Sequence, residues 1–296
     1  MSGRRPALRP SRAFAWLMLI LALLGTAFPF YWMVRTALTP AAELVADSGK
    51  LWPSHPTLIN FQRVLGLVSR EEAIAAGGTG ASINFPLYTL NSLIYAGGIA
   101  IIQTLACAAA AYAFARLRFP GRDVLFLVVI GGLMIPGIFT LLPNFTLIRD
   151  AQLLNTMPGL MLPAVLMTPF AIFFLRQFFL SMPAEVEEAA MLDGLGPLAR
   201  FARIAVPMNV GPIATMVLIT FVGMWKDYLW PLVAGKQEHT RLLTVALGVF
   251  QQQSPNTTPD WTGLMAGSTL SVLPALLILI FLGRQLVQTL SFSGSK

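Results

Sequence analysis

The sequence predicts an all-helical membrane protein that crosses the bilayer six times. Three observations carry this. Of the 296 residues, 56% are hydrophobic and only 11% are charged, and the mean hydropathy is +0.70. A soluble fold of this length cannot bury so much apolar surface. The apolar residues also gather into six runs, each long enough to cross about 30 Å of hydrocarbon as a helix. Finally, the segments between the runs are polar, basic or rich in proline and glycine.

Residues 1–13 form a basic tail with Arg4, Arg5, Arg9 and Arg12. The first run, 14–36, is too long for the apolar core of a signal peptide and lacks a clean small-x-small site, so it reads as a retained span with Pro29 as a kink. Residues 37–85 are polar and mixed, with Pro40, Pro53, Pro56 and Gly77-Gly78-Thr79-Gly80. They predict an extramembrane loop with a short helix near 61–68. A core follows over 86–290. Its second span, 86–115, carries Gly97-Gly98 and an alanine cluster suited to close packing in lipid. Arg116, Arg118 and Arg122 mark a tight basic turn. The third span, 124–147, contains Pro136 and Pro143 and is expected to bend or break. A polar turn at 149–158 leads to a fourth span at 159–180. The fifth and sixth spans are expected at 210–234 and 266–290, joined by a polar loop at 235–263, and residues 291–296 form a short tail.

Six spans put both termini on one side. If that side is the cytoplasm, twelve basic and five acidic residues lie inside, against eight of each outside, so the whole net charge of +7 is cytoplasmic. That agrees with the positive-inside rule and makes nucleic acid an unnecessary explanation for the basic character. Cys107 is the only cysteine, which excludes an intrachain disulfide and multi-cysteine metal sites. His55 and His239 have no second ligand at metal spacing. There is no GxxxxGK[ST] phosphate loop, and Gly77–Gly80 lacks the lysine. The span centres carry almost no acids or histidines of the kind that secondary transporters use. The expectation is a protein without a catalytic site, a metal or a bound cofactor of its own, driven by an external motor.

The organising stretch lies between spans four and five, at 182–208. Residues 184–192 are good helix formers, with Glu185, Glu187 and Glu188 in the first turns, where the helix dipole favours negative charge. Gly194 is a natural left-handed stop and Pro197 a natural opener for a second helix. Leu198, Phe201, Ile204 and Ala205 recur at helical spacing to form one apolar face, Arg200 and Arg203 lie off it, and Pro207 is expected to end the segment. This is a helix–glycine–helix elbow at a membrane surface.

Glu188-Ala189-Ala190, three residues, Gly194, nine residues, Ile204, one residue, Val206, Pro207 resembles the "EAA" loop of permease subunits in binding-protein-dependent ABC importers. The family usually has Leu where Val206 stands. The Asp193-Gly194 pair looks like the carbohydrate branch, whose model is the smaller maltose permease subunit. The resemblance covers most of 91–285 and includes Asn91-Ser92, Arg116–Gly121, Leu154-Asn155-Thr156, Phe173–Phe178 and Trp225–Pro231. It implies a type I ABC importer permease fold in the bacterial cytoplasmic (inner) membrane. It further implies a sister permease, an ATPase dimer that binds ATP and magnesium, and an extracytoplasmic solute-binding protein. By the same resemblance, Glu188, Ala189, Ala190, Asp193, Gly194, Ile204 and Pro207 form the element that couples to the ATPase. The expected solute is a sugar, oligosaccharide or polyol, with glycerol phosphate as an alternative.

Where relatives have Trp-Asn, this chain has Trp225-Lys226, followed by Asp227 and Tyr228. Lys226 either lines the solute path and attracts an anionic or polar solute, or sits with Asp227 at the outer rim. Trp225, Tyr228 and Trp230 either stack on sugar rings or anchor the span at the interface. Gln251, Gln252, Gln253, Pro255 and Asn256 are the expected tip of the loop that reaches toward the binding protein.

Overall fold

The computed structural model describes residues 12–78, 80, 83–251 and 259–292. In chain order the helices are α1 (Arg12–Ala37), α2 (Ile59–Val64), α3 (Arg70–Ala75), α4 (Phe85–Arg116), α5 (Arg122–Gly131), α6 (Leu141–Asp150), α7 (Met157–Val165), α8 (Pro169–Leu180), α9 (Ala184–Leu192), α10 (Pro197–Arg200), α11 (Val206–Met208), α12 (Val210–Trp225), α13 (Leu229–Ala234), α14 (Leu243–Leu247) and α15 (Trp261–Phe292). No strand occurs among the described residues. Three helical stretches are long and apolar enough to cross a membrane alone: Phe14–Ala37, Phe85–Arg116 and Trp261–Phe281. Three bent pairs pass the same test together: Arg122–Met134 with Gly137–Asp150, Met157–Val165 with Pro169–Leu180, and Pro197–Met208 with Val210–Trp225.

The chain divides into two compact units. The first comprises residues 1–83 and 247–270. It contains two short helices in the segment expected to be a loop, rather than one near 61–68. The second, α3, is set by a capping box: the Ser69 hydroxyl accepts the Glu72 N–H, while the Glu72 carboxylate accepts the Ser69 N–H. The helix α15 starts at Trp261, where Asp260 accepts the Gly263 N–H at 2.8 Å and so caps it five residues ahead of the apolar run expected from 266.

Asp260 also centres a buried polar cluster. Arg63 donates to both of its carboxylate oxygens, at 2.7 and 3.3 Å, and to Asn60 Oδ1 and Thr262 Oγ1. Asn60 donates in turn to the carbonyls of Ala37 and Thr39 just past α1. One guanidinium thus ties α2 to the start of α15, and through Asn60 to the end of α1. Burial alone pushes the Asp260 carboxyl up, but the Arg63 hydrogen bonds and charge and the Gly263 N–H outweigh it and hold the carboxyl below its ordinary range.

In the second unit (84–246 and 271–296), α4 is the central helix and packs on α7, α8 and α12. The third span breaks as expected, with a 96° bend between its halves at Pro136. Pro143 does not contribute, because it falls in the first turn of α6, where its missing N–H is not needed. The fourth span bends by 52° between α7 and α8. This break is closed by α4: Gln103 donates to the Ala164 carbonyl, and the Thr168 N–H lies 3.3 Å from Cys107 Sγ. Backbone groups freed in an apolar solvent cost several kcal/mol each unless a neighbour takes them up. A Cβ at Gly98 would lie 2.5 Å from Met161 Cε, the flexible tip of a side chain on α7 that would have to move aside.

Asp260→Asn is expected to destabilise the first unit by about 3–5 kcal/mol, because it leaves Arg63 buried without a counter-charge. Hydrogen exchange of 59–64 and the melting temperature of the purified protein measure it. Because the folded carboxyl is held low, its contribution is full above the ordinary carboxylate pKa of about 3.9. It fades as pH falls through the lowered folded value.

Candidate functional site

The elbow is built as its sequence suggests at the first helix and differently at the second. α9 stops in a pair of bonds that reverse the chain: the Leu195 N–H donates to the Ala190 carbonyl and the Gly194 N–H to the Met191 carbonyl, each at 3.0 Å, with Gly194 at φ +79°. A Cβ at Gly194 would meet nothing within 4 Å, so glycine supplies the conformation here rather than room. Pro197 opens α10. The expected single apolar face is not formed. Residues 201–205 wind as a π-helix, Leu198 is 78% exposed, and only Phe201, Ile204 and Ala205 face the core. Pro207 does not end the segment. It sits at the start of α11, and the chain turns by 83° at Asn209 instead. Pro207 has no N–H to offer the carbonyl of Arg203 four residues back, and the wider π turn directly precedes it.

The inner face of α9 carries Glu187 and Ala190, three residues apart and both buried. Glu187 is only 7% exposed. It accepts a hydrogen bond from the Tyr112 hydroxyl, with Arg116 Nε 3.5 Å from one carboxylate oxygen and Arg200 Nη1 4.0 Å from the other. Arg116 also donates to the carbonyls of Phe179 and Met182, at the end of α8 and just beyond it. Around this cluster the Tyr112 ring meets Phe179 edge-on at 5.9 Å and Phe201 at 5.5 Å. The elbow is therefore locked to the ends of α4 and α8. Arg200, off the apolar face expected for the second helix, turns inward to Glu187, while Arg203 is exposed.

Glu188, Ala189, Asp193 and Gly194 lie on the outer side and are exposed; Ala190 is buried, Ile204 half-buried and Pro207 exposed. Beside them Leu192 is 90% exposed, and Met191 is also open. The spacing pattern thus pointed to Glu188 and passed over Glu187, Tyr112 and Arg116 as one cluster. The i,i+3 pairing of Glu187 with Ala190 was the available signal. Nothing local in the sequence joins them to Tyr112.

A second group surrounds the expected solute-path residues. Lys226 and Asp227 do not lie in a continuous fifth span, because α12 ends at Trp225 and α13 begins at Leu229. Asp227 lies in this break, where its carboxylate accepts a hydrogen bond from the Tyr95 hydroxyl at 2.8 Å. Asp227 is thus tied to α4, and Lys226 is exposed. Trp225 stacks on Phe221 with centroids 5.6 Å apart and donates to the Ser271 carbonyl; Trp230 donates to the Leu160 carbonyl. Both indoles are engaged in packing, whereas Tyr228 is exposed. Residues 236–243 are held to α4 and to the turn after α6. Asn91 donates to the carbonyls of His239 and Arg241, Ser92 accepts the Leu243 N–H, and Asn155 accepts the Lys236 N–H. Gln251 is exposed. Gln252, Gln253, Pro255 and Asn256 lie outside the described residues.

Residues 90–292 match the model of the family described as "Binding-protein-dependent transport system inner membrane component". The probable ABC transporter permease protein YurM of Bacillus subtilis is 31% identical over 282 residues, covering 95% of this chain and 87% of that protein. The diacetylchitobiose uptake system permease protein NgcG of Streptomyces coelicolor is 30% identical, covering 97% and 91%. The sn-glycerol-3-phosphate transport system permease protein UgpE of Agrobacterium fabrum is 29% identical, covering 95% and 96%. The fold is shared with a chain in the crystal structure of a bacterial ABC transporter involved in the import of the acidic polysaccharide alginate, with TM-score 0.70, 21% identity, and coverage of 95% of this chain and 99% of that one. The chain belongs to the binding-protein-dependent transport system inner membrane components, as an ABC importer permease subunit.

Proposed function

We propose that this chain is the smaller-type permease of an ATP-driven importer for a sugar, oligosaccharide or polyol. It supplies half of the translocation path and one coupling elbow, and ATP with magnesium is bound and hydrolysed on a partner ATPase dimer. The observation that carries the coupling role is the two-sided elbow. Its inner face is locked to the membrane helices through Glu187, while its outer face presents Glu188, Ala189, Met191 and Leu192. Small side chains there let another surface approach, exposed apolar groups gain from burial, and Glu188 is placed to pair with a basic residue. Asp193 and Gly194 set the turn, and Ile204 and Pro207 complete the second half. Six spans with both termini cytoplasmic give this elbow the cytoplasmic side, and the concentration of basic residues there supports that topology.

A sister permease of similar length completes the path, and a solute-binding protein delivers the solute from outside, with 235–263 reaching toward it. Gln251, Gln252, Gln253, Pro255 and Asn256 are the proposed tip. The relatives named for diacetylchitobiose and for glycerol phosphate support the solute range. The second reading, an anionic polyol, is favoured by the exposed Lys226, at a position where the resemblance to the family leads one to expect Asn, beside Trp225, Asp227 and Tyr228.

Purification of the tagged chain in mild detergent is expected to recover a second six-span protein and an ATPase with a phosphate loop. A chain that purifies alone and moves solute in liposomes without ATP overturns the assignment. Uptake of diacetylchitobiose and sn-glycerol-3-phosphate by the reconstituted complex separates the two solute classes. Lys226→Asn is expected to weaken anionic uptake about tenfold and leave neutral sugars unchanged; equal effects on both rule out a charge-selecting role.

Gly194→Val forces a β-branched residue into a left-handed conformation, at a cost of about 1–2 kcal/mol. The spans should still insert, but transport should fall at least tenfold. Normal uptake by the variant would count against coupling through the elbow.

A further inference from the structure

Glu187 stands outside the spacing pattern that defines the elbow, yet it is the elbow's best-connected residue. It is the one charged side chain among the two buried residues of α9, and it shares one carboxylate between two guanidiniums and a phenol. The two guanidiniums come from different bodies. Arg116 ends α4 and simultaneously holds two carbonyls at the end of α8. Arg200 belongs to the second half of the elbow, beyond the Gly194 turn.

The two contacts are unequal. Arg116 Nε lies 3.5 Å from Glu187 while donating to the Phe179 carbonyl, and Arg200 Nη1 lies 4.0 Å away, so both are charge contacts longer than a hydrogen bond. The Arg200 side chain is only 11% exposed, and its Nε is buried without a hydrogen-bond partner. A buried guanidinium left this incompletely satisfied is costly. Buried ion pairs of this kind are best understood as devices that fix register between elements rather than as sources of stability.

We propose that Glu187 is a positioning residue. It holds both halves of the elbow and the end of α4 as one lever, and the Arg200 contact tightens when the elbow is loaded by its partner. A push on the exposed face of α9 then reaches α4 and α8 directly, through Arg116, instead of bending the chain at Gly194. This rests on the coupling role proposed above.

The test uses the whole purified complex, with nitroxide labels at Glu185→Cys on α9 and Arg118→Cys beyond α4. Both positions are exposed, and buried Cys107 stays in place. Distances are measured by pulsed electron paramagnetic resonance without nucleotide and with ATP plus vanadate. With Glu187 intact, one narrow distance population should persist in both states. Glu187→Gln should broaden it at least twofold, most strongly with ATP plus vanadate, while ATP hydrolysis stays within twofold. Arg200→Gln should broaden it too, and Arg200→Lys, which keeps the charge, should restore a narrow population. If broadening is absent in Glu187→Gln, the lever is refuted. If Glu187→Gln fails to assemble, the Arg200 pair decides by the same readings: equal distributions for Gln and Lys refute the charge contact. Failure of any ATPase to co-purify with the unmutated chain refutes the coupling role itself, a different outcome from an unbroadened distance in an assembled complex.

Discussion

In the second unit, breaks in the packed helices are closed by polar groups of α4. Asn91 and Ser92 take up the segment after α13, Tyr95 holds Asp227 between α12 and α13, and Gln103 and Cys107 meet the gap between α7 and α8. Tyr112 and Arg116 then fasten the elbow. These residues recur at roughly helical spacing along one buried face of a 32-residue helix. The constraint behind them is the cost of an unpaired peptide group in hydrocarbon. Helices that bend need a straight one beside them to absorb the loose donors and acceptors.

That arrangement explains why a helix that reads as simply apolar carries so much polarity. It also connects two separate breaks of the unit through one continuous helix. The break at Asp227 and the elbow at Glu187 both anchor on α4, through Tyr95 and Tyr112 respectively. A permease that alternates between states needs bends that are defined rather than floppy. Side-chain bonds across a helix break provide that definition, since each bend then has a specific set of partners to keep or exchange.

The first unit meets the same requirement with charge. Arg63 and Asp260 are almost 200 residues apart in sequence, and their contact joins α2 to the start of α15. The neighbouring α3 depends on a purely local device, the Ser69–Glu72 capping box, whose Ser-x-x-Glu spacing is legible in the sequence. In the sequence nothing local sets Asp260 apart from the other acids of the polar segments. Only its distant partner reveals why it is buried and why α15 begins where it does.

The sequence by itself determined the helical class, the apolar runs, the break near Pro136 and the left-handed stop at Gly194, because hydropathy, proline chemistry and glycine conformation are local properties. The EAA spacing also marked the elbow. What the tertiary structure decided was which acid of the elbow is buried, where the fifth run stops being helical, and which way Arg200 points. Each of these depends on a donor or counter-charge supplied by α4 or by a neighbouring helix end. A carboxylate's fate is set by the groups folding brings within a few ångströms, and no spacing along one segment encodes that.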